Sequence, residues 1–528
     1  MTTTTAPGTH LWERVRDQVC RHVDGIAIGS TVAALRQRGV LHRLGPAPRD
    51  VHALAQERGA NPGYFQVALR LLADQGWVVL DQPDGDGAPT VRTTRLGERV
   101  LTPLTEPYTH AAALLPALRD MFPPGDSTAG GPAAVALLRR EWDLPRTVLP
   151  VRARVQVLAH LDGHLAAPAA SWLPPGPAGS PLPAAVPPAA AEVLVHLGWA
   201  RPATGGCELT EAGRMARTAA AQYGHVLCYL STLARVPDLL FGTPAQNWAG
   251  FTDGHETHLD RDEDLAVSGQ VFETTCREPL LDVVLPLFDR PLDRQPRAIV
   301  DMGCGDGELL RTLCARIRHR TLRGRSLDAY PLLAVGADPS SVARRETARR
   351  LTAAGIPHLV VDADITAPDH LVRTLARHGV DARDALHVSK SVIHNRRYLG
   401  HPATPPPEAP PPQAGGYATP DGAAIAPHRM ALDLARWFSS WRGLARRHGM
   451  VAVEAHAVAP ERAAALIGRT PATVFDATHG YSHQYPVTCE VFAWAARTAG
   501  FRSRAHREPA AREVGHTILT VDHFVPTV

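Results

Sequence analysis

Ala298-Ile-Val-Asp301-Met-Gly303-Cys-Gly305-Asp306-Gly307-Glu-Leu-Leu310 is the stretch on which the fold turns. A short apolar strand runs into a glycine-rich turn and then into a helix with apolar spacing. Glycines at 303, 305 and 307 clear side chains away from backbone N–H groups and a helix N-terminus, the arrangement that lets a ligand approach the main chain. Asp301 ends the strand in a carboxylate, which suits a cationic amino group rather than a pyrophosphate. The loop carries no lysine or arginine that would partner a phosphate. Further along, Leu332-Leu-Ala-Val-Gly-Ala-Asp338 is a second strand, and its terminal acid sits where a ribose diol is accepted. A third strand, His358-Leu-Val-Val-Asp-Ala-Asp364-Ile, ends in an acid suited to the adenine edge. A plain dinucleotide-binding unit shares the glycines and is the competing reading.

The rest of the chain bounds the answer. Its 528 residues are too many for one core and predict two to four units. A hydrophobic share of 45% and a charged share of 20% exclude wholesale disorder. With 55 basic and 52 acidic residues and no block of like charge, a basic nucleic-acid face is not expected. No apolar run approaches a membrane span, and the start, MTTTTAPGTHLWERV, lacks a secretory signal. Seven dispersed cysteines without a CxxC pair fit reduced thiols, so a soluble cytoplasmic protein is expected.

Before residue 263 the pattern is α-rich. Val51 to Leu72 has helical spacing, followed by a strand at Gln75–Leu80, a turn, and Thr90–Val100, which together predict a winged-helix-like unit. Similar features recur roughly 115–122 residues later, around Glu192–Ala200 and Gly205–Arg214, each copy followed by Tyr-x-His (Tyr108/His110 and Tyr223/His225). The helices that would enter a DNA groove, Pro62–Ala73 and Ala189–His196, carry almost no cations, so a cap over a site or a homodimer platform is the expected role. The predicted division is a first unit at 1–164, a Pro/Ala-rich linker at 165–190, a second unit at 191–262, and an α/β domain at 263–528. A proline-rich insert at 401–420 interrupts that last domain.

Strand–GxGxG, strand–Asp, strand–Asp resembles the class I S-adenosylmethionine-dependent methyltransferases. The expected fold is therefore a Rossmann-like, seven-stranded sheet behind two winged-helix-like units. S-adenosylmethionine would be held by Asp301, Gly303, Gly305, Asp306, Asp338, Asp364 and Ser389. The fourth strand, Asp384-Ala-Leu-His-Val-Ser389, finishes where cofactor meets substrate. It runs on into Lys390, the only lysine against 54 arginines, a cation for a substrate carboxylate or an enolate unless it is a chance surface residue. His394 follows, His456 ends the fifth strand Gly449–His456, and Gln484 lies in His479-Gly-Tyr-Ser-His-Gln484. Two imidazoles and an amide suit Fe(II) or Mn(II), although with 26 histidines some clustering is expected by chance.

From Asp264 onward the chain also resembles the apratoxin-type C-methyltransferase domains of polyketide synthases, which use a mononuclear iron or manganese ion. The matching stretches are VFETTCREPLLDVVLPLFDR, AIVDMGCGDGELL, HVSKSVIHNRRY, GMVAVEAH and HGYSHQYPVTCEVFAWAARTAGF. The resemblance implies His394, His456 and Gln484 as metal ligands, while Lys390 is the catalytic cation on the strength of its place at the strand end. His456 becomes a base only if it holds no metal. Asn395 stands where the family tends to place an acid, and Lys390 where arginine is usual. The expected reaction is methylation of the enolate carbon of a malonyl-type thioester, free or on a carrier protein, or of an α-keto acid. Metal-free O-methylation and a cofactor-binding regulator or scaffold are the alternatives.

Overall fold

The computed structural model describes residues 7–82, 87–101, 105–123, 135, 151–247, 258–400, 406–413 and 415–527. The apolar runs of the C-terminal half become β1 (Ala298–Met302), β2 (Leu333–Ala337), β3 (His358–Val361), β4 (Ala385–Lys390), β5 (Met450–Ala455), β6 (Phe501–Arg507) and β7 (Leu519–Pro526). They form one seven-stranded sheet in the order β6-β7-β5-β4-β1-β2-β3. Strands β1 to β5 are parallel, and β7 runs antiparallel to both neighbours. The central strands are buried almost throughout, as strands covered on both faces must be. Edge strand β6 exposes most of its residues and carries five polar or charged side chains, which blunts it against further pairing. Strand order reverses between β1 and β4, so their C-terminal ends open a crevice there.

The N-terminal half contains two helix–hairpin–helix units. In the first, α1 (Pro7–Gln37) precedes α2 (Pro62–Asp74) and the hairpin Val78–Asp81/Thr90–Thr93; in the second, α3 (Val151–Ala170) precedes a helix at Pro188–His196 and the hairpin Ala200–Ala203/Gly206–Leu209. The duplication runs deeper than the hairpins. Gln18-Val-Cys-Arg-His22-Val-Asp-Gly25 on α1 matches Gln156-Val-Leu-Ala-His160-Leu-Asp-Gly163 on α3.

The two copies exchange partners. His22 bonds Tyr223 at 2.6 Å and His160 bonds Tyr108 at 2.7 Å, while Trp199 donates to Gln18 and Trp77 to Gln156. Each leading helix thus bonds the tryptophan just before the other copy's hairpin and the tyrosine after it. A Cβ at Gly25 would lie 2.2 Å from the His160 Cα, and one at Gly163 would lie 2.3 Å from the His22 carbonyl oxygen, so the helices cross where both copies lack a side chain. Helix α3 also corrects the expected linker. Residues 165–170 complete this helix through Pro168, because Leu165, Ala166 and Ala169 are fully buried and hold it against the core. The irregular segment begins only at Ser171.

The N-terminal core extends into the C-terminal domain through α4 (Ala472–Gly480), whose Val474 and Ala477 belong to it. Arg70 of α2 pairs with Asp476 at 2.8 Å, Gln75 donates to Thr473, Thr31 bonds Tyr481, and the Asp24 carboxylate accepts from the Val474 N–H. Deleting one partner of a buried pair such as Arg70–Asp476 costs about 3–5 kcal/mol, so α4 is firmly gripped. Part of the proline-rich insert is described as well, residues 401–405 and 414 lying outside. Its end forms the small hairpin Tyr417–Ala418/Ala424–Ile425, which clamps α2, with Gly63 donating to the Gly422 carbonyl. Among the described residues no helix is long and apolar enough to cross a membrane, and all seven cysteines are free thiols.

Candidate active site

The C-terminal ends of β1 and β4 frame a cleft lined by Asp301, Gly303, Gly305, Asp306, Lys390, and Leu265, Ser268 and Phe272 from the helical segment beside it. Gly303 adopts φ 77° and lies against the Val392 side chain, so only glycine fits this turn. Asp338 organises the loop by accepting from the Gly305 N–H at 3.2 Å and the Ser340 N–H at 2.8 Å. Asp306 caps the following helix through the Glu308 N–H at 3.0 Å. Asp301 is 2% exposed, and its Oδ1 has no hydrogen-bond partner among the described residues. Burial, then the charge of Asp338, drives its carboxyl well above the carboxylate range, with Lys390 opposing. A cationic amino group is the partner that would restore the charged form. The Ser389 hydroxyl is likewise buried and has no partner among the described residues.

Lys390 belongs to this cleft, its Nζ donating to the Ser268 Oγ at 2.7 Å. Asp364, beyond β3, accepts from the Thr366 N–H and pairs with Arg397 at 3.0 Å.

A second, deeper group of side chains begins just past β4. The His394 Nδ1 bonds the Glu454 Oε1, while the Glu454 Oε2 accepts from the Ile393 N–H at 3.0 Å. Both residues are buried, so the carboxylate fixes the imidazole's tilt and leaves Nε2 as its working nitrogen. The His394 ring meets His479 of α4 edge-on, with centroids 4.8 Å apart. His479 Nδ1 is tied to the Phe475 carbonyl at 2.6 Å. The second winged-helix unit supplies His225, stacked on His479 at 5.9 Å, and Tyr229, 5.8 Å from His225. Burial, with neighbouring His394 adding to it, pulls the His479 pKa well below the usual imidazole value. His225 is lowered by burial against an opposing pull from Asp264. Both shifts favour the neutral imidazole.

Gln484 joins this chamber, donating to the Tyr229 hydroxyl at 2.7 Å and to the Ser482 Oγ at 3.0 Å. His456 lines a small cavity with His394, Glu454, Tyr485 and Phe492, a cavity whose walls do not include Gln484. Its Nε2 bonds the Thr520 hydroxyl at 2.9 Å, its Nδ1 has no partner among the described residues, and burial lowers its pKa to about 4. Among the described residues no three His, Cys, Asp or Glu side chains cluster tightly enough to hold a metal ion. Glu454, His479, His225 and Tyr229 complete the chamber beyond the residues picked out from sequence. Glu454 had a local signal, lying two residues before His456 and so on the same face of the strand, and His479 opens the run that holds Gln484.

The strand order and the acid-flanked glycine loop define a class I S-adenosylmethionine-dependent methyltransferase. Residues 256–519 match the model of the AprA MT2-like domain, residues 15–80 that of the AprA N-terminal domain, and residues 183–243 that of the AprA winged helix domain. The chain belongs to the AprA MT2-like methyltransferase family, and it is an enzyme of that class. Similar solved structures include the CurJ carbon methyltransferase, at 10% identity and TM-score 0.42 over 96% of this chain and 92% of that one. The mitomycin 7-O-methyltransferase MmcR is 13% identical with TM-score 0.31, covering 95% and 94% of the two chains. Human N-acetylserotonin methyltransferase in complex with SAM is 12% identical with TM-score 0.29, covering 100% of each. No curated protein matches the chain.

Proposed function

We propose that the enzyme methylates carbon, at the acidic position beside a carbonyl in a malonyl-type thioester, free or carrier-bound, or in an α-keto acid. The observation that carries this reading is the Glu454-backed His394, buried just beyond the β4 end of the donor cleft. A carbon acid needs a well-oriented base shielded from water, and a buried imidazole held by a carboxylate supplies one. His394 Nε2 takes the proton, Glu454 stabilises the imidazolium, and the carbanion carbon attacks the sulfonium methyl, whose S–C electron pair stays on sulfur. Asp301 holds the donor's amino group, while Gly303 and Gly305 let its chain lie against β1.

The donors in the chamber are of the chemical kind that binds a divalent ion, although no three His, Cys, Asp or Glu side chains among the described residues are grouped as a metal site. His394 and His479 have Nδ1 anchored and Nε2 left to coordinate, the usual second-shell pattern of metal-bound histidine, and Gln484 has an amide oxygen to add. Of the expected ligands, His456 enters such a set only through Nδ1. Iron or manganese held there would polarise the substrate carbonyl.

His394 cannot carry a cation and accept a proton on the same nitrogen. Metal analysis of protein purified without chelator, with turnover measured before and after dialysis against chelator, separates the roles. Full turnover by metal-free enzyme assigns the base; near one equivalent of metal, lost together with activity in His394→Ala, assigns the ligand. Turnover on a phenol with none on either carbonyl acid would replace C-methylation by the O-methyltransferase reading.

A further inference from the structure

We infer that Tyr229, carried by the second winged-helix unit, donates its hydroxyl hydrogen to the substrate's enolate oxygen and is a catalytic residue of the reaction; this rests on the C-methylation reading. Three hydrogen bonds settle the direction of that hydrogen. Ser482 Oγ gives its own hydrogen to the Thr478 carbonyl at 2.6 Å, so toward Gln484 it can only accept. The nitrogen of the Gln484 amide therefore faces Ser482, and this same nitrogen donates to the Tyr229 oxygen at 2.7 Å. Tyr229 is an acceptor in that bond, which leaves its O–H hydrogen to be given elsewhere. Among the described residues it has no acceptor, although the side chain is only 3% exposed.

A buried donor without an acceptor costs about 1–3 kcal/mol, which marks a position built for a ligand oxygen. The ring stands 6.4 Å from His479, whose ring in turn meets His394, so the hydroxyl and the base belong to one cluster of rings. As the proton leaves the substrate carbon for His394 Nε2, negative charge collects on the adjacent carbonyl oxygen, and a fixed neutral O–H lowers its energy without being transferred. Tyr229 comes from outside the methyltransferase sheet, so the acidifying group is in place only while the cap is seated. An O-methylated hydroxyl develops no such enolate, and the role is specific to carbon chemistry.

The test measures exchange of the α-protons of malonyl-N-acetylcysteamine thioester, and of phenylpyruvate, in D2O with S-adenosylhomocysteine bound, together with kcat and the Kd for S-adenosylmethionine. In Tyr229→Phe, exchange and kcat fall together by roughly 10²–10³-fold, with Kd unchanged. Tyr223→Phe, which breaks the structural bond to His22, leaves exchange unchanged and lowers Tm. If Tyr229→Phe lowers Tm too, fluorotyrosine at position 229 keeps the shape and sharpens donation, and its exchange rate must then depart from wild type. Wild-type exchange in both variants overturns the role of Tyr229 and leaves C-methylation standing. A wild-type enzyme that neither exchanges nor methylates either probe overturns the C-methylation reading itself, and Tyr229 with it.

Discussion

The cofactor cleft and the histidine chamber meet at the end of β4, yet they are made in opposite ways. The cleft is built by consecutive residues on β1, β2 and the turns after them, and its working groups are carboxylates and backbone N–H groups. The chamber gathers His225 and Tyr229 from one domain and His394, Glu454, His479 and Gln484 from the other, and its working groups are imidazole and phenol rings with one carboxylate behind them. Their electrostatics are opposed as well. Burial pushes the Asp301 carboxyl up, toward its neutral form, and pushes His479 and His225 down, toward theirs. On the proposed reading, a buried chamber of rings next to a cleft that awaits a cation would keep proton removal and methyl donation on separate sets of residues.

That separation predicts separable defects. His394→Ala should lower turnover by roughly 10²–10⁴-fold, the span of general-base contributions, while calorimetry shows wild-type affinity for S-adenosylmethionine. Asp338→Ala should do the reverse, raising the Kd by roughly 10–100-fold through loss of charge-assisted hydrogen bonds, with the chamber intact. A variant of either region that damages both readouts equally would dissolve the distinction. Glu454→Gln, which keeps shape but not charge, should cost roughly 10–100-fold in turnover and nothing in cofactor binding.

Stability against pH should also bear the chamber's sign. Burial sets His456, His387 and His523, like His22 in the N-terminal core, at about 4. Folded pKa values below an unfolded value of about 6.5 mean that the stability these rings permit is fully present above that pH. It is lost as pH falls through 4, because the unfolded chain binds the protons. Tm followed by circular dichroism should hold level above neutrality and drop steeply below it; a flat profile down to pH 4 would contradict the neutral-ring description. The cleft gives the smaller, opposite signal. Seating the donor's ammonium against Asp301 should release a proton, so the apparent binding enthalpy should change with the buffer's ionisation enthalpy, and Asp301→Asn should abolish that dependence.

The same contrast explains what could be read without coordinates. The cleft is local, a strand, a glycine turn and an acid, so Asp301, Gly303, Gly305, Asp306, Asp338 and Lys390 are visible in a line of sequence. The seven-stranded sheet follows from the same runs. The chamber is assembled across more than 250 residues, and no spacing rule links Tyr229 to Gln484. His456 and His479 illustrate the limit: both are histidines beside motif residues, and only the packing of α4 against the N-terminal half brings the latter onto His394. The duplication was legible in its hairpins, but the exchange of α1 and α3 between copies was not, since reciprocal pairing leaves no local signature. The helix through Pro168 was obscured by composition, because proline and alanine suggest a linker until burial of Leu165 and Ala169 shows otherwise.

Carbon as the methyl acceptor is the central claim, and the position of a labelled methyl tests it most directly. The enzyme is incubated with malonyl-N-acetylcysteamine thioester and S-adenosylmethionine carrying a 13C methyl, and the product is examined by proton NMR. A labelled methyl further split by the single proton on the neighbouring carbon is the predicted result. A labelled methyl showing no such splitting, at the shift of a methyl ester, would place it on oxygen and contradict the account.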